Sequence, residues 1–423
     1  MMKWYSLIDK IYHKDNLAMA FKAVKRNHGA PGYDGETVEL FAENIDENIE
    51  FLHQALKTKT YLPSPVKRVE IDKPDGGVRL LGIPTVKDRV VQQAVVNIIE
   101  PLFDDQFHPS SYGYRPKKSQ HMAVAKAQLF LKNGLEHVVD MDLSKCFDTL
   151  DHEIMMNEVG KTISDGSVLK LIEQFLKSGI IVDGSFESSE IGSPQGGVIS
   201  PLLSNIYLNI FDQKIKTNSS YRMVRYADDI LIFTNSKREA GNALTWATQI
   251  LEDELKLTVN KEKTTTTSLR EGVSFLGFIV RKRVVSIDPK RIQRFKDKIR
   301  ELTKRNSGVP IGVVIAKLNR YLRGWINYYR AANIKQFCKE NMPWIRRRLR
   351  MIRMKQWKTY KAMHKEMRRQ SINHNGEKMN VALWKNSKVH LIHQVIPNKW
   401  FDEMQLVNLE HYEVGLLSTF YKG

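Results

Sequence analysis

Two short apolar runs meet at a pair of aspartates, and this arrangement restricts the fold more than any other feature of the sequence. Residues 223–226 and 230–233 have the character of strands, and they flank an Ala-Asp-Asp segment at 227–229. This pattern predicts a β-hairpin, because Asp tolerates the backbone dihedrals of a tight turn. An Asp-Asp pair at a hairpin tip is commonly no more than a turn, but the full tetrad Tyr-Ala-Asp-Asp is much rarer.

A third carboxylate follows another apolar strand. Residues 137–143 form a predicted strand that leads into a helix, and Asp142 stands near its end. Carboxylates at strand ends can converge over one point of a sheet, where hard oxygen ligands hold Mg2+. Two such ions can activate a 3′-hydroxyl and stabilise a leaving pyrophosphate. Asp142, Asp228 and Asp229 are therefore candidate metal ligands, and Asp140, one pleat further from the strand end, is a weaker candidate.

Strands and helices are mixed around these acids, which predicts an α+β fold. Before them, residues 1–65 are mainly helical and contain a Gly/Pro-rich loop at 29–35. The remaining predictions are a hairpin of strands 66–71 and 78–83, helices at 88–99 and 198–211, and one strand at 273–280 paired with 284–287.

Basic charge is concentrated in one segment. The chain contains 66 Lys and Arg against 47 Asp and Glu, a formal charge of +19. Residues 290–370 hold 25 of these basic side chains and 4 of the acidic ones, which leaves 41 and 43 for the rest of the chain. Such a segment, with Trp and Tyr interleaved, predicts nucleic-acid binding, because bound cations release counterions from phosphates and aromatic rings stack on bases. The alternative is a solvated helical face.

Composition excludes several classes of protein. No apolar stretch reaches the roughly 18 residues of a membrane span, so no membrane partner is expected. Cys146 and Cys338 are far apart, which excludes a disulfide scaffold and a zinc module built on close cysteine pairs. Residues 1–17 resemble neither a signal peptide nor a transit peptide. The expected compartment is the reducing cytoplasm.

The Tyr-Ala-Asp-Asp tetrad resembles the catalytic box of reverse transcriptases, and further boxes appear in that family's order. Four more segments resemble the family's boxes: 139–148, 191–203, 260–263 and 275–278. Within the family, the chain is similar to bacterial group II intron reverse transcriptases and their maturase thumb, through segments 29–35, 111–116, 196–203 and 318–330. Because two distant cysteines cannot build the zinc site of a C-terminal endonuclease, the chain resembles the compact type without one.

The resemblance implies a right-hand polymerase with fingers, a palm built on an antiparallel sheet, a helical thumb and an N-terminal helical extension. The predicted domains are the extension (1–65), the fingers and palm (66–288), the basic helical thumb or maturase domain X (289–370), and a DNA-binding C-terminal region (371–423).

The resemblance also implies a function. The chain would be an RNA-directed DNA polymerase of the bacterial cytoplasm that extends a DNA primer with two Mg2+ ions, for which Mn2+ can substitute. As a maturase it would bind intron RNA in splicing and retrotransposition. The implied partners are intron RNA, the RNA template/DNA primer duplex, dNTPs and target DNA, without zinc. Two alternatives stay open: a domesticated relative that serves phage defence or DNA repair, and a mainly RNA-binding splicing factor.

Individual residues receive roles from the same resemblance. The catalytic residues would be Asp142, Asp228, Asp229 and Lys263, the last as proton donor to pyrophosphate. The metal ligands would be Asp142, Leu143, Asp228 and Asp229. The nucleotide pocket would comprise Lys73, Arg79, Phe147, Gln195, Gly196 and Ala227, with Phe147 as a gate against a ribose 2′-hydroxyl. The nucleic-acid contacts would be Arg115, Phe275, Leu276, Gly277, Arg323, Trp325, Arg346, Arg347, Arg348 and Arg350.

Overall fold

The computed structural model of this protein describes residues 3–72, 76–182, 184–188, 191–192, 196–268, 272–306, 308–357, 359–369, 371 and 390–421. Backbone packing divides the chain into two units, Met1–Glu271 and Gly272–Gly423. The four predicted domains, with their boundaries after residues 65, 288 and 370, stay predictions.

The first unit contains ten α-helices among its described residues. They are α1 (Ile8–Tyr12), α2 (Lys14–Arg26), α3 (Val38–Glu43), α4 (Ile45–Lys57), α5 (Val86–Asp104), α6 (Gln120–Lys132), α7 (His152–Gly160), α8 (Gly166–Leu176), α9 (Ser200–Thr217) and α10 (Lys237–Gln249). Several begin at a residue whose side chain accepts a hydrogen bond from the first turn, as Thr85 and Asp151 do. Helix α9 lacks such a cap, but the side-chain Oε1 of Gln92 accepts from the Val198 amide at 2.7 Å. Short helical turns lie at Cys146–Thr149 (3-10) and Ile250–Glu254 (π).

Three sheets complete the first unit. Its strands are β1 (Val66–Asp72), β2 (Val78–Ile83), β3 (His137–Met141), β4 (Leu143–Ser144), β5 (Ile180–Val182), β6 (Ser185–Glu187), β7 (Arg222–Tyr226), β8 (Asp229–Thr234), β9 (Thr258–Val259) and β10 (Thr265–Ser268). They are arranged as β2-β1-β5-β6, β10-β3-β8-β7 and β4-β9. The two hairpins predicted from the sequence, β1 with β2 and β7 with β8, are confirmed.

The sheet β10-β3-β8-β7 is antiparallel throughout and places the acids at one end. Met141, the last residue of β3, pairs with Ile230, and Asp229 pairs with Tyr226 across the hairpin. Asp142, directly after β3, therefore lies beside the Asp-Asp turn. Helices α6, α9 and α10 pack against the apolar strands of this sheet, and Ile232 and Phe233 are fully buried. This burial stabilises the sheet and makes it a rigid support for the acids.

The second unit consists of helices and one small sheet among its described residues. The elements are α11 (Pro289–Leu302), α12 (Ile311–Tyr329), α13 (Lys335–Trp357), α14 (Tyr360–Arg369), α15 (His390–Val395), α16 (Asn398–Glu403), β11 (Val273–Phe275), β12 (Phe278–Val280) and β13 (Val285–Ile287). Trp325 packs between Phe295 and Phe337, with ring centroids 4.5 and 5.0 Å away. Across the described parts of both units, no helix combines the length and apolar character that a membrane crossing requires.

The single strand predicted at 273–280 is wrong. Leu276 and Gly277 have φ of 50° and 81°, so the chain turns there and β11 and β12 form a hairpin. The Tyr328 hydroxyl donates a hydrogen bond to the Leu276 carbonyl oxygen at 2.8 Å, which holds the turn. The predicted pairing with the following strand is confirmed, since Val280 pairs with Val285.

Candidate active site

The Asp-Asp turn has a strained backbone. Ala227 has a φ of 57°, a conformation that costs an alanine about 1 kcal/mol, and its side chain is buried. The tight turn needs a positive φ at this position to reverse the chain between β7 and β8. Asp228 and Asp229, which follow it, are half-buried. The turn therefore presents two carboxylates that are only partly solvated.

Asp142 is held by the segment that follows β9. Because β4 pairs with β9, Asn260 lies next to Asp142: its amide nitrogen donates to the Asp142 carbonyl oxygen at 2.8 Å and its Nδ2 to the Asp142 Oδ2 at 3.1 Å. The Lys263 Nζ lies 3.6 Å from the same Oδ2. The structure thus brings the predicted proton donor, Lys263, to the predicted metal ligand Asp142.

Four carboxylates share this end of the sheet, and the pKa values of Asp140, Asp228 and Asp229 are raised. Burial is the largest cause for Asp229, whose pKa rises to about 7 with further contributions from Asp228, Asp140 and Asp142. Burial and then Asp142 raise the pKa of Asp140 to about 6. The pKa of Asp228 is raised as well, mainly by burial. The site concentrates negative charge that only a cation or protons can offset.

The donor set fits a hard divalent cation, although the side chains are not yet arranged around one. Carboxylate oxygens of Asp142, Asp228 and Asp229 are the ligand type that Mg2+ prefers. As the side chains stand, no three His, Cys, Asp or Glu residues within the described ranges converge closely enough to hold a metal ion. Leu143 is buried in β4 and could contribute only its backbone carbonyl.

A fully buried ion pair lies beneath the turn. The Arg225 Nε donates to both carboxylate oxygens of Asp212 in α9 at 2.9 and 3.0 Å, and its Nη2 donates to Oδ2 at 2.6 Å. The Arg225 Nη1 donates to the Ala227 carbonyl oxygen at 2.9 Å. Both charged side chains are completely buried. Because the planar guanidinium fixes several acceptors at once, it ties the strained turn to α9.

The loop at 110–115 packs against the same turn. The Tyr112 amide donates to the Arg225 carbonyl oxygen, and the Arg225 amide donates to the Ser110 carbonyl oxygen, both at 2.9 Å. A Cβ atom added to Gly113 would lie 2.2 Å from the Ala227 nitrogen, so only glycine fits there. The Asn205 Nδ2 donates to the Gly113 carbonyl oxygen at 2.8 Å. The turn is thus supported by α9 and by this loop.

The predicted nucleotide residues that are described lie around the acids. The Phe147 ring is half-buried and lies 6.4 Å from the Tyr114 ring. Arg79 is exposed on β2, and its positive charge lowers the pKa of Asp228. Burial raises the pKa of Asp228 more strongly. A Cβ atom added to Gly196 would lie 2.2 Å from the Gly82 carbonyl oxygen, so the turn at Gly196 packs directly against β2. Lys73 and Gln195 lie outside the described residues.

Arg115, a predicted nucleic-acid contact, is engaged within its own unit. Its Nε donates to the Asp104 Oδ1 at 2.6 Å, its Nη2 to the Asp104 carbonyl oxygen at 2.8 Å, and its Nη1 to the carbonyl oxygens of His108 and Ser111. Only 6% of the side chain is exposed. This geometry favours a structural role over the predicted contact.

Among the predicted nucleic-acid contacts of the second unit, some are buried within the unit and others are exposed. Arg350 is buried, where its Nε donates to the Ile396 carbonyl oxygen at 2.8 Å, and Arg346 is buried beside Glu410. The Arg348 Nε donates to the Thr303 Oγ1 at 2.6 Å. The buried arginines therefore join parts of this unit. The remaining members are the exposed Arg323 and Arg347, the buried Trp325 and Phe275, and the half-buried turn of Leu276 and Gly277.

Sequence reasoning missed the residues that support the site. Arg225, Asp212 and Asn205 were not predicted, yet a charged residue within an apolar strand and another within an apolar helix are signals of a buried pair. Tyr114 lies in the 111–116 segment and Asn260 in the 260–263 segment, but the sequence assigned a role to neither residue. Only the pairing of β4 with β9 reveals the contact of Asn260 with Asp142.

Two protein families match the sequence. Residues 71–280 match the family described as "Reverse transcriptase (RNA-dependent DNA polymerase)", and residues 292–371 match "Group II intron, maturase-specific domain". The first match contains the acidic cluster and every predicted nucleotide residue. The second coincides with most of the basic segment.

Two named proteins are similar to the chain over most of their own length. The chain is 35% identical to Protein YkfC of Escherichia coli K12, over 66% of this chain and 83% of that protein. It is 26% identical to Group II intron-encoded protein LtrA of Lactococcus lactis subsp. cremoris, over 78% and 70%. A solved chain of the Partial Cas6-RT-Cas1--Cas2 complex is 22% identical with a TM-score of 0.38, over 59% of this chain and 42% of that one.

Proposed function

Because this chain belongs to the reverse transcriptase family and carries a group II intron maturase-specific domain, we propose that its acidic cluster extends a DNA primer on an RNA template. The chain is an RNA-directed DNA polymerase with a maturase role, and its α+β fold is of the right-hand polymerase class. One observation carries the assignment of the site: Asp142, Asp228 and Asp229 lie at one end of a rigid sheet, where Asp228 and Asp229 have raised pKa values.

The reaction needs divalent cations, as reverse transcriptases do, and we propose Mg2+, with Mn2+ as a substitute. When bound, two ions would lower the pKa of the primer 3′-hydroxyl and offset charge on the leaving pyrophosphate. Asp142, Asp228 and Asp229 would hold the ions, with the Leu143 carbonyl oxygen as a further ligand. The 3′-oxygen then bonds to the α-phosphorus of the dNTP while the bond to pyrophosphate breaks.

Lys263 is proposed to donate a proton to that pyrophosphate. Its Nζ lies 3.6 Å from the Asp142 Oδ2, and this proximity to a proposed metal ligand supports the proposal. The side chain is also 64% exposed, which leaves it free to follow the leaving group. General acid catalysis requires such reach before it requires a tuned pKa.

The nucleotide would lie between the acids and the β1-β2 hairpin. We assign its triphosphate to Arg79 and to Lys73, its sugar to Phe147, and its base-pair edge to Gln195, Gly196 and Ala227. Arg79 supports this because its charge already acts on Asp228. Gly196 supports it because only glycine allows the turn to lie against Gly82.

The basic second unit is proposed to bind RNA. Arg323 and Arg347 are the exposed arginines among the predicted contacts of this unit, and A-form RNA is bound mostly through phosphates and 2′-hydroxyls. The Leu276-Gly277 turn and the adjoining Phe275 are proposed to contact the primer. Intron RNA, the template/primer duplex and target DNA are the proposed partners, with the cytoplasm as the compartment.

Primer extension on an RNA template tests this function. We expect Asp228→Ala to lower the rate by about 10^3-fold or more, because a metal ligand is lost. RNA affinity should stay within about twofold, since the phosphate-binding cations are unchanged. Asp105→Ala, an exposed acid at the end of α5, is the matched control and should extend primers normally. Full cDNA synthesis by Asp228→Ala would refute the assignment, and absence of activity in the unaltered protein would favour the splicing-factor alternative.

A further inference from the structure

Tyr114 has a strained backbone conformation, and the residue is partly exposed. Its φ is 55° and 49% of the residue is exposed. A non-glycine residue in this region of backbone space is uncommon, and such strain persists only where the surroundings enforce it. An exposed ring contributes little to a hydrophobic core, so packing energy does not explain why the strain is retained.

The residues on both sides of Tyr114 are fixed. Gly113 lies against the Ala227 nitrogen, and its carbonyl oxygen accepts a hydrogen bond from the Asn205 side chain at 2.8 Å. On the other side, four hydrogen bonds hold the Arg115 guanidinium, two of them to Asp104. Between these two anchors the Tyr114 backbone has little freedom, and the residue stays about half exposed.

The ring extends toward the reaction centre. Its centroid lies 6.4 Å from that of Phe147 with an interplanar angle of 72°, an edge-to-face contact. Burial raises the pKa of the Tyr114 phenol, and the charges of Asp228 and Asp229 add to this effect. Arg79 acts in the opposite direction. Tyr114 therefore contacts the gate residue and lies within electrostatic reach of the acids and of Arg79.

We propose that Tyr114 is a specificity-determining residue that fixes the orientation of the Phe147 ring and forms the second aromatic wall of the nucleotide pocket. The proposal rests on the proposed function, in which Phe147 excludes the ribose 2′-hydroxyl. A ring that can tilt excludes this hydroxyl poorly. The edge of Tyr114 restricts the tilt, and the anchored loop keeps that edge in place.

Selectivity between a dNTP and the matching rNTP tests the proposal, measured as the ratio of kcat/KM values on an RNA template. Tyr114→Ala should lower this ratio about 3- to 10-fold, the range expected for loss of one aromatic contact. Tyr114→Phe retains the ring and should stay within about twofold. Tyr5→Ala, which removes an exposed tyrosine from the N-terminal segment, is the matched control and should leave selectivity unchanged.

The Phe147→Ala variant distinguishes failure of the Tyr114 proposal from failure of the proposed gate. It should lower selectivity at least as much as Tyr114→Ala, and the double variant should be no worse than Phe147→Ala alone, since both changes act on one gate. Unchanged selectivity in Tyr114→Ala, or an equal loss of selectivity in Tyr114→Phe, would overturn the proposal for Tyr114. In that case, continued polymerisation and a loss of selectivity in Phe147→Ala would still support the proposed function. Normal selectivity in Phe147→Ala would overturn the gate itself.

Discussion

Asp229 has the most strongly raised pKa among the acids at the end of the β3-β8 sheet. Its carboxyl is shielded from water and lies in the field of Asp228, Asp140 and Asp142, so ionisation is unfavourable until the pH reaches about 7. The metal-free protein therefore loses stability as the pH rises from about 4 through about 7, because the raised pKa penalises the ionised form. A divalent cation would remove this penalty.

Metal affinity should consequently rise with pH. The proton on Asp229 must leave before its carboxylate binds a cation, and a group with a pKa of about 7 is mostly protonated at pH 6 and mostly ionised at pH 8. We expect Mn2+ to bind about tenfold more tightly at pH 8 than at pH 6, as measured by calorimetry on the protein without nucleic acid. Asp229→Asn should flatten this dependence. Equal affinity at the two pH values would contradict the assignment.

Arginine side chains show why residue type alone does not assign a role. Arg115, Arg346 and Arg350 are of the residue type expected at a nucleic-acid-binding surface. In the structure, their guanidinium groups bind acceptors inside the protein. Five donors on a planar group can satisfy several carbonyl oxygens at once. A distant segment that offers such acceptors therefore changes the role of the residue.

Among the elements, the contact of the 110–115 loop with the β7-β8 turn depends on one glycine. Gly113→Ala should destabilise the protein by about 2–4 kcal/mol, because the added Cβ would overlap the Ala227 backbone, which cannot move without shifting the Asp-Asp turn. Gly160→Ala in α7 is the control, since no atom lies within 4 Å of its added Cβ, and it should be neutral or stabilising by up to about 1 kcal/mol.

Urea unfolding of the two glycine variants gives their free energies of unfolding. Primer extension shows whether the Asp-Asp turn is intact. We expect Gly113→Ala to lose activity even at temperatures where it remains folded, whereas Gly160→Ala should keep it. Equal stability of the two variants would show that the loop can move away from the turn.

The hairpin of β11 and β12 shows a limit of periodicity. Apolar residues predominate from 273 to 280, so the pattern predicts one strand. The turn depends on the left-handed backbone of Leu276 and Gly277 and on the hydroxyl of Tyr328, 52 residues away. Glycine was the only local signal of a bend.

At the scale of the whole molecule, the C-terminal segment is part of the second unit. Arg350 stacks on Phe401 and donates to the Ile396 carbonyl oxygen. Asn319 in α12 donates to the Gln405 carbonyl oxygen at 2.7 Å and accepts from the Val407 amide at 2.8 Å. These buried polar groups have partners only because residues 390–421 are packed there.

Truncation after residue 371 should therefore destabilise the protein. Arg350 and Asn319 would lose buried partners, and Arg350 would also lose its stacking on Phe401, so we expect the melting temperature of the second unit to fall by roughly 5 °C or more. Differential scanning calorimetry of the intact and truncated chains measures this, and DNA binding is assayed in parallel. An unchanged melting temperature with lost DNA affinity would show that the segment serves DNA alone, as the sequence suggested.

The sequence by itself determined the fold class, the family, the order of its motifs and the three carboxylates. These follow from patterns read along the chain: alternating apolar residues around a turn, and cations counted over one segment. What holds those carboxylates, and which cations are buried among internal acceptors, depends on the tertiary structure. Asn260 meets Asp142 across 118 residues, and Arg225 meets Asp212 inside the protein. Such partners depend on how strands and helices pack, because burial makes a polar group take whichever partner the fold brings to it.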